Sequence, residues 1–211
     1  MEIKNKKINF LGDSITEGVG TSAPEYRYVN VFARKFSPAE VRNYGISGTR
    51  FARQTQPSAN PRFDLDFCLR VSEMDEDADI VVVFGGTNDF GHGDAPLGSF
   101  TDRTPYTFYG ACHTLMRSLI ERFPNATVVV MTPLHRAVEE SPNKAPLSTY
   151  VSIIREVAEY YALPVLDLYK MSGLQPQVEI NRKLFVPDGL HPNDAGAEKI
   201  ADRLGNFLLG L

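Results

Sequence analysis

The stretch Ile8-Asn9-Phe10-Leu11-Gly12-Asp13-Ser14-Ile15-Thr16 decides the reading of this chain. A short, β-rich apolar run, Ile8–Leu11, passes at once into a Gly-Asp-Ser turn. A serine just beyond a buried strand projects from the sheet edge with its backbone N–H free, a suitable place for a nucleophile. Working outward, the same texture returns at Val41–Tyr44, Ile80–Phe84, Val128–Met131 and Val165–Leu168. Several of these runs are continuously apolar, as parallel strands covered on both faces are.

Helical patterns lie between them. Tyr28, Val29, Phe32 and Phe36 share one face. Phe108, Cys112, Leu115, Leu119 and Phe123 form another stripe, for which Thr104 is the expected N-cap and Pro105 the first-turn residue. Val151, Ile154, Ala158 and Tyr161 repeat the spacing, as do Ala197, Ile200, Leu204 and Leu208, with Pro192 expected at the first helical position. Strand–helix alternation predicts one three-layer α/β/α sandwich around a five-stranded parallel sheet, spanning residues 1–211 as a single domain. Gly85–Thr104, Pro133–Pro146 and Lys170–Gly189 read as irregular loops on the strand-end edge, where open α/β sheets place ligands.

The bulk properties exclude several classes. With 211 residues, 43% hydrophobic and 23% charged, the chain supports a full core without staples. Net charge is −4 and no basic run exceeds Lys6-Lys7, which argues against nucleic acid as a partner. No apolar run approaches the ~18 residues of a membrane span, and Ile8–Leu11 is too short for a signal sequence. The expected location is cytoplasmic, and a homo-oligomer is compatible with everything above. Cys68 and Cys112 read as free buried thiols.

The G-x-S-x-G elbow, the dinucleotide fingerprint and the phosphate-binding G-x-x-x-x-G-K-[ST] loop are all missing. Taken alone, Ser14 is equally readable as a turn or cap residue. Three further segments shift the balance: Asn43-Tyr44-Gly45-Ile46-Ser47-Gly48 after the second strand, Gly85-Gly86-Thr87-Asn88-Asp89 after the third, and Asp188-Gly189-Leu190-His191-Pro192 before the last helix. In a parallel sheet the strand ends converge on the edge that carries Ser14.

With these four blocks in this order, from Gly12 to His191, the chain resembles the SGNH (GDSL-type) hydrolases. The resemblance implies a flavodoxin-like fold and a cofactor-free, metal-free serine esterase. Ser14 would be the nucleophile, His191 the base, and Asp188 the carboxylate that orients the imidazole. Ser14 N–H, Gly45 N–H and the Asn88 amide would form the oxyanion hole, Gly45 being taken as the family glycine. A small-molecule ester is the implied partner, with short acyl groups, above all acetyl, on a carbohydrate. A lysophospholipase or thioesterase of the same family, or a non-catalytic carbohydrate-binding protein, is the alternative.

Four more residues are candidates for contact with substrate: Asp13 and Asp89, which also suit a role in hydrogen-bonding the motif loops, and His92 and His135 in strand-end loops. The polar, glycine-rich segment Gly85–Thr104, with Asp94, Asp102 and Arg103, suits a sugar-facing loop. His113 falls inside a helical stripe and reads as structural. The acidic run Glu73–Asp79 lacks the glycine and glutamate of a calcium loop and reads as a solvated turn.

Overall fold

The computed structural model describes residues 1–211. Five strands, β1 (Lys7–Gly12), β2 (Glu40–Gly45), β3 (Ile80–Phe84), β4 (Thr127–Met131) and β5 (Val165–Leu166), form one sheet in the order β2-β1-β3-β4-β5. Every neighbouring pair is parallel. The register sets Gly12 opposite both Gly45 and Phe84, so the segments after β1, β2 and β3 leave the sheet side by side.

Nine helices surround it: α1 (Ser14–Glu17), α2 (Tyr28–Phe36), α3 (Phe67–Arg70), α4 (Thr87–His92), α5 (Phe108–Arg122), α6 (Leu147–Tyr160), α7 (Leu168–Met171), α8 (Glu179–Phe185) and α9 (Asp194–Leu209). Alternate residues of the inner strands feed two cores, as the two-residue side-chain period requires. Phe10, Val82 and Met131 pack with α2 and α9; Leu11, Val83 and Val130 pack with α5 and α6. The three-layer sandwich read from the sequence is the observed one, in the flavodoxin-like strand order. No helix is long and apolar enough to cross a membrane.

Several local expectations shift. The long α5 helix is capped by Thr107, whose Oγ1 accepts from Gly110 N at 3.1 Å, and not by Thr104. The Pro105 carbonyl accepts from Arg53 N instead of starting the helix. Likewise Asn193 caps α9, accepting from Gly196 N at 3.1 Å, which leaves Pro192 outside the helix. β5 stops at Leu166 because the Asp167 carboxylate accepts from Lys170 N and opens α7. Two segments expected to be irregular hold helices. α4 is too short to show a period, and α8 buries none of its residues, leaving Ile180 and Leu184 exposed. The acidic turn is solvated but not idle: Asp77 pairs with Lys7 and Arg42, and Asp79 with Lys6.

Leu204 on α9 is fully buried against the sheet. Leu204→Ala is expected to lower the unfolding free energy by about 3 kcal/mol, read as a shift of the urea midpoint at constant slope.

Candidate active site

β1 ends at Gly12, and the chain turns directly into α1. Asp13 makes that turn, its carboxylate accepting from Ile15 N at 3.0 Å. Gly12 admits no side chain, since a Cβ there would lie 1.9 Å from Thr16 Oγ1. Ser14 is thereby held as the first residue of α1. Its Oγ lies 2.9 Å from His191 Nε2, a contact across 177 residues of chain.

His191 is fixed from the other side. Its Nδ1–H donates to Asp188 Oδ2 at 2.7 Å, while Asp188 Oδ1 accepts from the backbone N–H groups of Leu190 and His191. Partial burial opposes ionisation of Asp188, but these donors outweigh it and hold its carboxyl below the usual range. The bond at Nδ1 selects the tautomer whose Nε2 is free to accept a proton.

The cavity over Ser14 holds about 300 Å³ and is walled by Val19, Ser47, Gly48, Phe63, Asn88, His92, Leu190 and His191. Asn88, the second residue of α4, donates one amide hydrogen to Thr49 O at 2.9 Å, leaving its other hydrogen for the cavity. Gly45 is a correction. Its N–H donates to Asn43 Oδ1 at 2.8 Å, and a Cβ there would lie 2.2 Å from Glu17 N, so it packs against α1 and not against the cavity. The glycine on the cavity wall is Gly48, in the left-handed region at φ +78°. Both glycines stand in the Asn43–Gly48 block, and only the path of the chain after β2 tells them apart.

Asp13 and Asp89 are corrected in the same way: neither reaches the cavity. Asp89 accepts from Phe51 N at 3.0 Å and Ala52 N at 2.9 Å, pinning the β2–α3 connection to α4. Burial raises Asp13 to about 6 and Asp89 to about 7, against the pull of these N–H donors. His135 is a further correction. It bonds Glu139 through Nδ1 at 2.7 Å and stacks on Tyr169, away from the cavity. Asp94, Asp102 and Arg103 do not line the cavity either; Asp102, for example, accepts from Ser99 and Thr107 within its own loop.

His92 does line the cavity. Its Nδ1 faces an Arg50 Nη at 3.2 Å and its ring packs on Phe63 at 5.4 Å between centroids. Partial desolvation and the cations Arg50, Lys144 and Arg136 lower it to about 4, so the ring is neutral at pH 7. His113 is buried in α5, and burial raises both cysteine thiols above their ordinary range. No group of three or more His, Cys, Asp or Glu is arranged to hold a metal ion.

One residue that the sequence did not single out ties the edge together. Arg70 is buried at the end of α3 and donates to the carbonyls of Gly12, Tyr44 and Leu65 and to Thr49 Oγ1. It therefore links the ends of β1 and β2 to the loop that carries Gly48. An arginine next to Cys68 and Leu69 in sequence gives no sign of this role.

The model of the GDSL-like Lipase/Acylhydrolase family matches residues 10–199. The chain belongs to this family. A Lactobacillus plantarum protein of known structure is 29% identical, with a TM-score of 0.86 over 99% of this chain and 98% of its own. A lipase/acylhydrolase from Enterococcus faecalis is 23% identical, with a TM-score of 0.67 over 97% and 96%. An acetyl xylan esterase is 21% identical, with a TM-score of 0.66 over 95% and 98%. The last two share the fold. No curated protein matches the sequence.

The lowered value at His92 has a checkable consequence. Its C–H resonances are expected to titrate near pH 4 in NMR spectra, and Lys144→Met should move that midpoint upward. Between about 4 and the ordinary 6.5 the unfolded chain binds a proton here that the folded chain does not. The stability this residue contributes is therefore complete above pH 6.5 and lost as pH falls to 4.

Proposed function

We propose that this family member is a serine esterase that cleaves short acyl esters through an acyl-enzyme, with Ser14 as nucleophile. The observation that carries this reading is the unbroken relay from Ser14 Oγ through His191 to Asp188, at 2.9 and 2.7 Å. A neutral serine hydroxyl is a weak nucleophile, and an imidazole at hydrogen-bond distance can take its proton during attack. Asp188 stabilises the imidazolium that forms, without itself taking the proton.

The attacked carbonyl oxygen becomes an oxyanion. Ser14, Gly48 and Asn88 line the same cavity, so the two backbone N–H groups and the free Asn88 amide hydrogen would be the oxyanion's donors, and all three are neutral. They stabilise the charge as it develops without competing with His191 for the proton. His191 then returns its proton to the departing alcohol. Water activated by the same ring attacks the acyl-Ser14 ester, releases the acid and restores the hydroxyl.

The acyl group would lie against Val19, Phe63 and Leu190, which make this cavity largely apolar, in a volume of about 300 Å³. That space favours acetyl and similarly short chains over the long chains of lysophospholipids. An acetylated carbohydrate is our substrate class. A series of p-nitrophenyl esters from C2 to C8 tests it, with turnover falling as the chain lengthens; a maximum at C8 would point to the lysophospholipase or thioesterase reading.

Two variants test the mechanism. Ser14→Ala should lower kcat on p-nitrophenyl acetate by several orders of magnitude and abolish labelling by a fluorophosphonate probe. Full activity in that variant would sink the assignment, and an unlabelled wild type would favour a non-catalytic binding protein. Asn88→Ala should reduce kcat roughly 10²–10³-fold, the usual loss for one oxyanion donor.

A further inference from the structure

A second cavity lies beside the first. It holds about 310 Å³ and is lined by Arg53, Gln54, Thr55, Gln56 and Asp64, with Pro57 as the one apolar side chain among them. The two cavities share a wall. Phe63 faces the catalytic cavity, and the next residue, Asp64, lines the second. Behind that wall stands the buried Arg50. One Nη meets His92 Nδ1 at 3.2 Å, while the other meets Asp64 Oδ1 at 2.9 Å and Phe63 O at 3.2 Å. The Arg50 guanidinium thus bridges His92, on the lining of the first cavity, to Asp64, on the lining of the second.

We propose that this second cavity binds the hydroxyl-bearing alcohol part of the ester, a neutral polyol of the size of a sugar ring. This inference rests on the esterase reading for its acyl half, since the acyl group would occupy the first cavity. Charge balance is the reason for a neutral ligand. Arg50 is paired with Asp64, and Arg53 Nε donates to Asp66 Oδ2 at 3.0 Å. No unmatched cation is left to hold a phosphate or a nucleotide headgroup. What the lining offers is a mixture of donors and acceptors, including the remaining guanidinium hydrogens of Arg53 and the exposed amide of Gln56. Hydroxyl groups, which both donate and accept, match such a lining better than an anion does.

The segment is also prepared for binding. Asp94 accepts from Thr55 N at 2.8 Å and Gln56 N at 2.9 Å, and its own N–H donates to Gln54 Oε1 at 2.6 Å. A wall latched in this way loses little freedom when a ligand arrives. Next to it, Arg53 lies over the Tyr106 ring at 5.6 Å, and Tyr106 as a residue is 53% exposed. The side of the Tyr106 ring that Arg53 does not cover would give the C–H face of a sugar ring a flat apolar surface. The role of Asp94 thus differs from the direct sugar contact suggested by its loop's composition: it holds the residues that would make the contact.

The test uses the full chain and two exposed positions, Gln56→Ala and Tyr106→Ala. Values of kcat/KM are measured on a methyl β-D-glucopyranoside bearing one acetyl group and on p-nitrophenyl acetate. The ratio of the first to the second is expected to fall about tenfold in each variant, mainly through KM on the sugar ester, as the loss of one good contact implies. A ratio changed by less than about twofold in both variants, or a wild-type preference for a lysophospholipid or an acyl-CoA, would overturn the subsite. If wild type hydrolyses neither ester, the esterase reading fails while the cavity is still tested. Methyl β-D-glucopyranoside titrated into 15N-labelled protein should then move the Arg53 and Gln56 amide signals, and shifts nowhere in residues 53–64 would reject the proposal.

Discussion

A single direction shared by five strands is the constraint on which the rest of this molecule depends. Because β1 lies between β2 and β3 and runs parallel to both, their carboxyl ends open onto one edge. Ser14, Gly48 and Asn88 each follow one of these ends, and they meet there although 74 residues of chain separate the first from the last. An antiparallel β1 would send Ser14 to the opposite edge. The imidazole arrives differently. α9 packs beside α2 on one face of the sheet, and the turn before it lies against the loop after α1. Gly20 shows how close that approach is, since a Cβ there would lie 2.9 Å from His191 Cβ.

Around this edge the polar residues are graded by charge. The groups that face the cavity are hydroxyl and amide donors and the rings of His92 and His191. The buried titratable groups lie one layer behind: Asp13 and Asp89, both pushed toward the neutral form by burial, accept from backbone N–H groups, and Arg70 donates to backbone carbonyls. Buried charges are tolerated only when hydrogen-bonded in this way, because desolvation would otherwise outweigh their attraction. The benefit is rigidity. Loops that would be free to move are tied to the sheet, and under the proposed esterase reading the oxyanion donors would need no rearrangement when charge appears.

Much of this was legible in the sequence, for definite reasons. Continuous apolar runs such as Ile80–Phe84 announce strands covered on both faces, and stripes such as Phe108 to Leu119 announce helices that cover them. The four polar blocks stand directly after strands or before a helix, so their convergence follows from a parallel sheet. The caps were harder. Thr104-Pro105 and Pro192 carry good local signals, yet Thr107 and Asn193 make the caps, while long-range bonds from Arg53 N to Pro105 O and from Asn193 N to Phe185 O hold the chain ahead of each helix. α8 escaped notice because none of its residues is fully buried and only Phe185 packs against the core, which leaves no apolar stripe to read.

The sequence by itself determined the architecture and the candidate reactive groups, since strand and helix periods and a serine, a histidine and two aspartate-bearing turns are local properties. Which glycine faces the cavity, which aspartates turn away from it, and where a second cavity opens were decided only by tertiary structure. Gly45 and Gly48 are three residues apart in one block, and chemically identical. The bond from Gly45 N–H to Asn43 and the packing of Gly45 against α1 leave Gly48 facing Ser14, and these contacts join segments that sequence order holds apart.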